Sequence, residues 1–538
     1  MKLRIQNIKQ PLSEGDEQLS FRIADLLGLD ARQVSCVRVL RRALDARKKQ
    51  DVHFLLSAVA EVDDAAAKRL LSHANPRAEA YAEAGEREVP SGTESLRGRV
   101  VVAGLGPAGL FAAYELARYG YAPLVLERGD PVEQRAARVE RYWATGELDE
   151  DSNVMFGEGG AGTFSDGKLT SRSKDARGEQ VLRTLIRFGA PEEIAVAAKP
   201  HIGTDRLRGV VFTMRREIER LGGEVRFRTK LTGLESADGR LARAEIFSPG
   251  GTERTDCATL LLAVGQGARD TYQMLADAGI AMEPKPFAVG VRVEHPQRMI
   301  DSAQFGEYAG HPRLGAAEYR LSAESGGRGV YTFCMCPGGL VIAGASADGE
   351  IVVNGMSDYA RDAQNANAAV VVQVYPGDFS EGVLGGVRFQ QQMEQAAYRA
   401  GGGGGIAPAS TLGAFLRRER PRGFGAVQPS YRPGVASCDL WRVLPPFVAQ
   451  GVADGMRAFG RQLRGYDRDD AVLTGVETRT SAPVRILRGT DMESVSCAGV
   501  YPVGEGAGYA GGIVSAAIDG LKAAEAVISR FAPPRGSA

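Results

Sequence analysis

The chain has 538 residues, of which 44% are apolar and 25% charged, a composition typical of globular proteins and a length that predicts two or three domains rather than one core. Its 66 Lys and Arg residues balance 66 Asp and Glu residues, so no net charge directs it to nucleic acid or to a membrane surface. No long apolar run or N-terminal secretory signal is visible and only 6 cysteines are present, which argues against a membrane span or a disulfide framework and predicts a cytoplasmic protein.

Residues 1–95 form the first predicted unit, an α/β accessory module followed by a polar linker. Three stretches alternate apolar and polar residues as strands do, and two have helical spacing, in the order β-α-β-β-α. This order is typical of a ferredoxin-like module. Basic residues concentrate between Arg38 and Lys49, either as a grip for RNA or as a solvated or docking surface. Without interleaved exposed aromatic residues, we do not expect nucleic acid as a partner.

A βαβ unit follows from residue 99, with the sequence RVVVAGLGPAGLFAAYELARYGYAPLVLERG. Gly104, Gly106 and Gly109 follow its first strand and open its helix, which is the context that a dinucleotide fingerprint requires. The helix N-terminus favours a pyrophosphate, and Glu127 after the next strand can accept hydrogen bonds from a ribose. A carboxylate there would repel a 2′-phosphate, which disfavours NADP at this site. The other expected contacts in this unit are Pro107, Ala108 and Arg128.

Two more glycine-rich loops lie far from the first in sequence, MFGEGGAGTFSDGKL at 155–169 and VYPVGEGAGYAGG at 500–512. One ligand that touches distant loops must be long, and FAD fits, with its pyrophosphate at the first loop and its flavin at the last. The alternative is that these glycines only allow close helix packing. The expected cofactor contacts are Gly160, Ala161, Gly162, Thr163 and Lys168 in the second loop, Gly504, Glu505, Gly511, Gly512 and Ile513 in the third, and Leu231 and Gly265 between them.

The domain organisation follows from these positions. Residues 96–284 and 485–538 are predicted to form one discontinuous Rossmann-like domain in an α/β fold. Residues 285–484 mix alternating strands with loops, which predicts a mixed-sheet substrate or cap domain.

The motifs together resemble a bacterial family of uncharacterised FAD-dependent dehydrogenases, sometimes labelled NAD(FAD)-utilising dehydrogenases. The resemblance implies FAD, the glutathione-reductase-like flavoprotein fold and a separate substrate domain. We expect the FAD to be bound non-covalently. One departure is visible, because Gln266 and Gly267 stand where the family usually has His and Ser, which puts any role of those side chains in doubt here. The stretches that carry the resemblance are GLGPAG, FGEGGAGTFSDGKL, KPFAVGVRVEHPQ, YTFCMCPGG, NGMS, ETRTSAPVRI and GEGAGYAGGIVSAAIDG.

Four residues are candidates for the chemistry. Cys334 forms a CxC pair with Cys336, either as thiols that exchange electrons with the flavin or, as we favour, in a structural or substrate-shaping role. His295 either faces the flavin as an acid or base or is a hydrogen-bonded structural histidine. Arg479 suits an anionic substrate or a salt bridge, and Lys168 could reach the flavin or the phosphates.

The sequence therefore predicts an FAD-dependent oxidoreductase that transfers hydride through flavin N5 to or from a small anionic molecule. No second glycine fingerprint is visible for a resident nicotinamide, so NAD(P)H would bind transiently, if it is the donor. Two alternatives stay open, a tRNA-modifying flavoprotein that uses the basic N-terminal module and a non-catalytic FAD-binding sensor or scaffold. Substrate and oligomeric state are not predicted.

Overall fold

A computed structural model describes residues 1–73, 75–83, 85, 87–171 and 173–534. Within these ranges no helix combines the length and the apolar character that crossing a membrane requires. All six cysteines are free.

The N-terminal module is a four-stranded antiparallel sheet with two helices against one face. Its strand order is β2-β3-β1-β4, and Leu3 and Ile5 of the central strand are fully buried against the helices. The observed order adds one short strand, β4, to the predicted β-α-β-β-α. The elements are β1 (Lys2–Pro11), α1 (Leu19–Leu27), β2 (Val34–Asp45), β3 (His53–Val62), α2 (Asp64–Ser72) and β4 (Ala78–Ala80).

The second unit is built on short apolar strands that alternate with amphipathic helices, as parallel sheets require. A three-stranded antiparallel meander is inserted before its fourth parallel strand. The elements are β5 (Val100–Ala103), α3 (Pro107–Arg118), β6 (Leu124–Leu126), α4 (Val132–Thr145), α5 (Arg177–Arg187), α6 (Thr204–Arg220), β7 (Glu224–Arg226), β8 (Lys230–Ala237), β9 (Arg240–Ser248), β10 (Gly251–Asp256), β11 (Thr259–Leu262), α7 (Arg269–Asp277) and β12 (Met282–Pro284).

The third unit holds a seven-stranded mixed sheet whose two longest strands are almost wholly buried. Its elements are β13 (Phe287–Pro296), α8 (Gln297–Phe305), β14 (Ser322–Ser325), β15 (Arg328–Cys336), β16 (Leu340–Ala343), β17 (Val353–Met356), β18 (Asn365–Val374), α9 (Gly385–Gly401), β19 (Ala407–Thr411), α10 (Leu412–Arg417), β20 (Val435–Ser437), α11 (Pro446–Gln462) and β21 (Val472–Glu477). The strand order is β14-β15-β18-β13-β21-β19-β20, and only β19 and β20 pair in parallel.

The chain then returns to the second unit through β22 (Val484–Ile486), β23 (Val500–Pro502) and α12 (Ile513–Arg530). Strand β23 completes a five-stranded parallel sheet in the order β23-β11-β5-β6-β7. Counted from β5, this is the 3-2-1-4-5 order of doubly wound nucleotide-binding folds, which bind ligands at the carboxyl ends of the strands where the order reverses. The predicted α/β fold is confirmed, and the predicted segments before 284 and after 485 share this sheet.

Candidate functional site

A large cavity of about 2090 Å³ lies at the carboxyl ends of the parallel strands. Residues of all three units line it, from Arg41 on β2 through the glycine loops to Cys334 on β15. Pockets for small ligands typically enclose about 300–1,000 Å³. The cavity therefore has room for a dinucleotide and a second molecule together.

The first glycine turn lies on the cavity wall between β5 and α3. Gly104 has a φ of +101°, and a Cβ on it would overlap the carbonyl oxygen of Ala263. A Cβ on Gly109 would overlap the carbonyl oxygen of Gly104, so this glycine lets α3 pack against the turn and does not itself line the cavity. Helix α3 begins after Gly106 without a side-chain cap, which leaves its N-terminal N–H groups to the cavity.

Glu127 fixes the shape of this wall. Its carboxylate accepts hydrogen bonds from the backbone N–H groups of Leu105 at 2.9 Å, Gly129 at 2.9 Å and Gly157 at 3.0 Å. A carboxylate offers about four acceptor positions, so one is left for a ribose hydroxyl. The predicted ribose acceptor thus also ties the first glycine loop to the second.

The second glycine loop packs directly on the first and on the third. A Cβ on Gly160 would lie 2.9 Å from the Cα of Gly106, and one on Gly162 would lie 3.1 Å from the side chain of Ile513. The three loops, distant in sequence, therefore meet at one wall. Thr163 is a correction to the predicted contacts, because it is buried behind this wall, where its hydroxyl donates to the carbonyl of Glu158 and its own carbonyl accepts from Thr204.

The third loop leads into α12 at the same wall. Gly504 has a φ of +80°, and its missing Cβ leaves room for Ala108 of α3. A Cβ on Gly511 would meet no protein atom within 4 Å, and one on Gly512 would meet only the Ser515 hydroxyl at 4.0 Å. Helix α12 begins after Gly512 without a side-chain cap. Two uncapped helix N-termini and open glycine backbone facing one cavity fit a long anionic cofactor with a flat ring system.

Glu505 and Gln266 form a polar pair beside this loop. The Gln266 amide donates to Glu505 Oε1 at 2.9 Å and to the carbonyl of Arg479 at 2.8 Å. Burial raises the pKa of Glu505 to about 7, against the opposing charge of Lys285. Gln266, which departs from the resembled family, thus orients Glu505, one of the predicted cofactor contacts.

The guanidinium of Arg479 lies in a buried charge network, although the residue lines the cavity. Its Nη2 lies 3.1 Å from Glu394 and 3.2 Å from Glu350, and Arg269 of α7 binds the same two carboxylates. Arg269 and Arg479 hold the pKa of buried Glu394 low in spite of burial, whereas burial and the neighbouring Glu394 raise that of Glu350 to about 7. The catalytic candidate Arg479 is corrected to the predicted alternative, a salt bridge, because Glu350 and Glu394 hold its guanidinium.

His295 lies away from the cavity. The imidazole is fully buried, its Nε2 bonds the carbonyl of Tyr466 at 2.7 Å, and its ring packs on the Tyr466 ring at 4.4 Å between centroids. Burial lowers its pKa to about 4. The catalytic candidate His295 is corrected to the predicted alternative, a hydrogen-bonded structural histidine.

Lys168 and Cys334 both line the cavity, as does Arg128. The Lys168 ammonium lies 3.5 Å from Asp166. Burial disfavours its charge, but the charge of Asp166, together with negative charge on the pair Cys336 and Cys334, raises its pKa. Lys168 is therefore a cationic side chain on the cavity wall, next to the predicted thiol pair.

Arg128 marks another part of the cavity wall. Its guanidinium stacks over the ring of Phe156 at 4.3 Å and pairs with Asp270 at 2.8 Å. The structure brings the remaining predicted cofactor contacts to the same cavity: Pro107, Ala108, Ala161, Leu231 and Gly265.

Sequence reasoning missed Arg292, the buried cation beneath Cys334. The guanidinium donates to Glu477 at 2.9 Å, to Asn367 at 2.6 Å and to the carbonyl of Cys334 at 3.1 Å. A charged residue inside the otherwise apolar run FAVGVRV was the available signal, because inward-facing charges need buried partners.

The basic stretch of the N-terminal module also faces the cavity. Arg41, Arg42 and Arg47 line the cavity mouth, and the backbone of Arg42 bonds the carbonyl of Val196 at 2.6 Å and the N–H of Ala198 at 2.8 Å. Arg42 is paired with Asp16. The module thus closes one side of the cavity.

Strand order and loop geometry define a dinucleotide-binding fold. A family model described as "FAD-dependent protein, C-terminal domain-like" matches residues 286–480, and a domain of unknown function matches residues 2–61. An uncharacterized protein of Clostridium beijerinckii is 47% identical over 539 residues, covering 99% of this chain and 100% of its own length. The chain belongs to the same family as this clostridial protein, and FAD is its cofactor.

Solved structures give more distant likenesses. The anhydrotetracycline hydroxylase OxyS of Streptomyces rimosus is 18% identical, with a TM-score of 0.26, over 53% of this chain and 48% of the hydroxylase. The flavin-dependent brominase Bmp2 triple mutant is 12% identical, with a TM-score of 0.36, over 80% of each chain. A geranylgeranyl bacteriochlorophyll reductase-like protein of Thermoplasma acidophilum is 12% identical, with a TM-score of 0.35, over 81% of this chain and 78% of that one.

Proposed function

We propose that the protein is an FAD-dependent oxidoreductase that oxidises or reduces a small anionic molecule in the cavity between its three units. FAD, when bound, supplies hydride transfer through flavin N5. The observation that carries the proposal is the meeting of three glycine loops at one wall of a cavity that is larger than a dinucleotide requires. We assign the parallel-sheet domain to the glutathione-reductase type and the N-terminal module to the ferredoxin-like fold, and the two strand orders support this assignment.

The chain's own residues would divide the work as follows. The N-termini of α3 and α12 would hold the negative charges of the cofactor, and Glu127 would accept from a ribose hydroxyl. Glu505 would accept from a ribityl hydroxyl and, with Gln266 bonded to Oε1, would hold a proton at Oε2 near neutral pH. Lys168 would attract the anionic group of the substrate to the cavity wall.

The direct test is an anaerobic screen of the FAD-loaded protein against metabolites, NADH and NADPH, with the flavin absorbance as readout. We expect an anionic metabolite to bleach the flavin or to restore its colour after reduction. Bleaching by neutral molecules alone would refute the anionic substrate. A flavin that no donor reduces would favour the alternative of a non-catalytic FAD-binding sensor.

A variant tests whether Lys168 binds the anionic group of the substrate. Lys168→Gln should raise KM for the anionic substrate about tenfold or more with a smaller change in kcat, because a charge-assisted contact contributes about 1.5–3 kcal/mol. Lys522→Gln on α12, which removes a partner of Asp175 at a position that does not line the cavity, is the matched control. An unchanged KM in the Lys168 variant would remove this residue from the substrate site.

A further inference from the structure

The cysteine pair lies at an irregularity of β15, and the irregularity is on the cavity side. Pairing with β18 runs from Phe333 opposite Ala369 to Cys336 opposite Asn367, so β15 carries one extra residue and bulges. Cys334 in this bulge has a φ of +43°, which is uncommon for a residue with a side chain. Bulges redirect side chains and are frequent beside active sites. Here the bulge places Cys334 on the cavity wall while Cys336 stays fully buried behind it.

One guanidinium connects the two cysteines. Nη1 of fully buried Arg292 donates to the carbonyl of Cys334 at 3.1 Å and lies 3.9 Å from Sγ of Cys336. The Cys336 thiol in turn donates to the Cys334 carbonyl at 3.4 Å. The pair is therefore held on a fixed cationic support and not on a mobile loop.

The surroundings favour a thiolate at Cys334. Hydrogen bonding by the Cys336 thiol, followed by the charges of Arg292 and Lys168, lowers the pKa of Cys334 in spite of burial. The same pairing and burial raise the pKa of Cys336. One low-pKa thiol open to a cavity and one high-pKa thiol behind it is the division found in redox-active pairs, where the first reacts and the second resolves.

The spacing permits a bond. Residues two apart on an extended strand have Cα atoms about 6.6 Å apart. Disulfides join residues whose Cα atoms lie about 4.4–6.8 Å apart. Cys334 and Cys336 are therefore within reach of each other, and a bond between them would close a small ring, which makes it more readily reduced than a relaxed disulfide.

We propose that Cys334 and Cys336 form a dithiol–disulfide couple that exchanges one electron pair with the FAD held in the same cavity. In the reducing direction, reduced anionic FAD loses two electrons and one proton. The sulfur–sulfur bond breaks, Cys334 becomes a thiolate and Cys336 takes the proton as a thiol. Oxidation runs the same step in reverse, with oxidised FAD as the acceptor. This inference rests on the proposed function, since it gives the flavin an electron partner inside the chain.

The test is a reductive titration of the FAD-loaded protein with dithionite in the absence of oxygen. The background is Cys36→Ser/Cys438→Ser, which removes the two cysteines outside the pair that are not buried. After oxidation with diamide and removal of the reagent, this protein should take up twice as many electrons per flavin as the same protein with Cys336→Ser added. Equal uptake by the two proteins would overturn the couple.

Mass spectrometry of the peptide that contains both cysteines gives a second readout, which does not depend on the folding of any variant. The oxidised parent should show the loss of two hydrogens, and anaerobic photoreduction of the flavin should restore them. A pair that stays reduced after diamide, or a disulfide that persists while the flavin is fully reduced, would contradict the proposal. Full flavin reduction in the Cys336→Ser protein would at the same time keep the oxidoreductase proposal standing, so the two failures are distinguishable.

Discussion

At the scale of single residues, burial of Glu505 makes the stability of the protein depend on pH, and the structure determines the direction of that dependence. Burial raises its pKa from 4.5 to about 7, so the folded protein holds this proton more tightly than the unfolded chain. Stability contributed by this proton is fully present below pH 4.5 and is lost as the pH rises to about 7. Glu505→Gln keeps an acceptor for Gln266 and has no charge to bury. In the cofactor-free protein its free energy of unfolding should therefore match that of the wild type near pH 4.5 and exceed it above pH 7.

Urea unfolding at both pH values measures this difference. Glu324→Gln, which changes an exposed carboxylate on β14, is the control and should show no such pH-dependent gain. A Glu505 variant that is equally stable to the wild type at pH 8 would show that the carboxylate is not desolvated.

Gly512 is the residue whose substitution should separate cofactor binding from folding. A Cβ there meets no protein atom closer than 4.0 Å, so Gly512→Val should fold while its side chain enters the cofactor space. We expect FAD affinity to fall about tenfold or more, because the new side chain would crowd the cofactor as an overpacked core side chain crowds its neighbours. Fluorescence quenching of added FAD measures the change. Gly209→Val, at an exposed glycine of α6 with equally open surroundings, should leave the affinity unaltered; a parallel loss there would invalidate the interpretation.

At the scale of elements, the contact between α3 and α12 sets the cofactor wall. A Cβ on Gly520 would overlap the carbonyl oxygen of Ala108, one residue before Gly109. Gly520→Ala should therefore push the two helices apart, cost about 1–3 kcal/mol of unfolding free energy and weaken FAD binding together with stability. Chemical denaturation and FAD titration measure the two effects.

The matched control is Gly178→Ala on α5, which also faces α12. Its new Cβ would meet Ile518 at 3.8 Å, an ordinary contact, and Ala is the better helix former by about 1 kcal/mol. This variant should be neutral or more stable. If both substitutions had the same effect, Gly520 would not be needed for the close packing of α3 and α12.

The same elements show how far the sequence alone could lead. The strand, glycine turn and helix from residue 99 were predictable because their signals are local: apolar runs, glycines at fixed spacing and a carboxylate after the next strand. The two other loops were recognisable by glycine density. Thr163 was misplaced because a loop residue's direction depends on backbone turns that composition does not encode.

The partners of the buried charged residues could not be predicted from the sequence. Arg479 pairs with Glu350 and Glu394, and Arg292 supports Cys334, across separations in the chain that only folding closes. For the same reason the sequence left two roles open for His295, since the carbonyl partner that decides between them belongs to Tyr466. A titratable residue in a buried strand predicts that it has a buried partner, but the sequence does not identify that partner.

At the scale of the whole molecule, one buried charge network joins the parallel-sheet domain to the mixed-sheet unit. Arg269 of α7 lies 2.8 Å from Glu394 of α9, and Arg479 lies 3.1 Å from the same carboxylate. Glu394→Gln would leave two buried cations poorly paired. This should lower the free energy of unfolding by about 3–5 kcal/mol and weaken the contact between the two units. Denaturant titration with separate probes of flavin and of tryptophan fluorescence measures both.

Glu147→Gln removes one partner of an exposed ion pair with Arg141 and serves as control, with an expected change within about 0.5 kcal/mol. A fully buried Glu394 whose loss costs no more than that of Glu147 would refute the network as the connection between the units.

The measurement that tests the account most directly is flavin occupancy per chain in the purified protein, determined by absorbance after incubation with FAD and removal of the excess. The account predicts one FAD per wild-type chain and strongly reduced occupancy in Gly106→Val, Gly160→Val and Gly512→Val alike, because the three loops form one binding wall. Wild-type protein that stays colourless, or substitutions in two of the loops that leave occupancy intact, would contradict it.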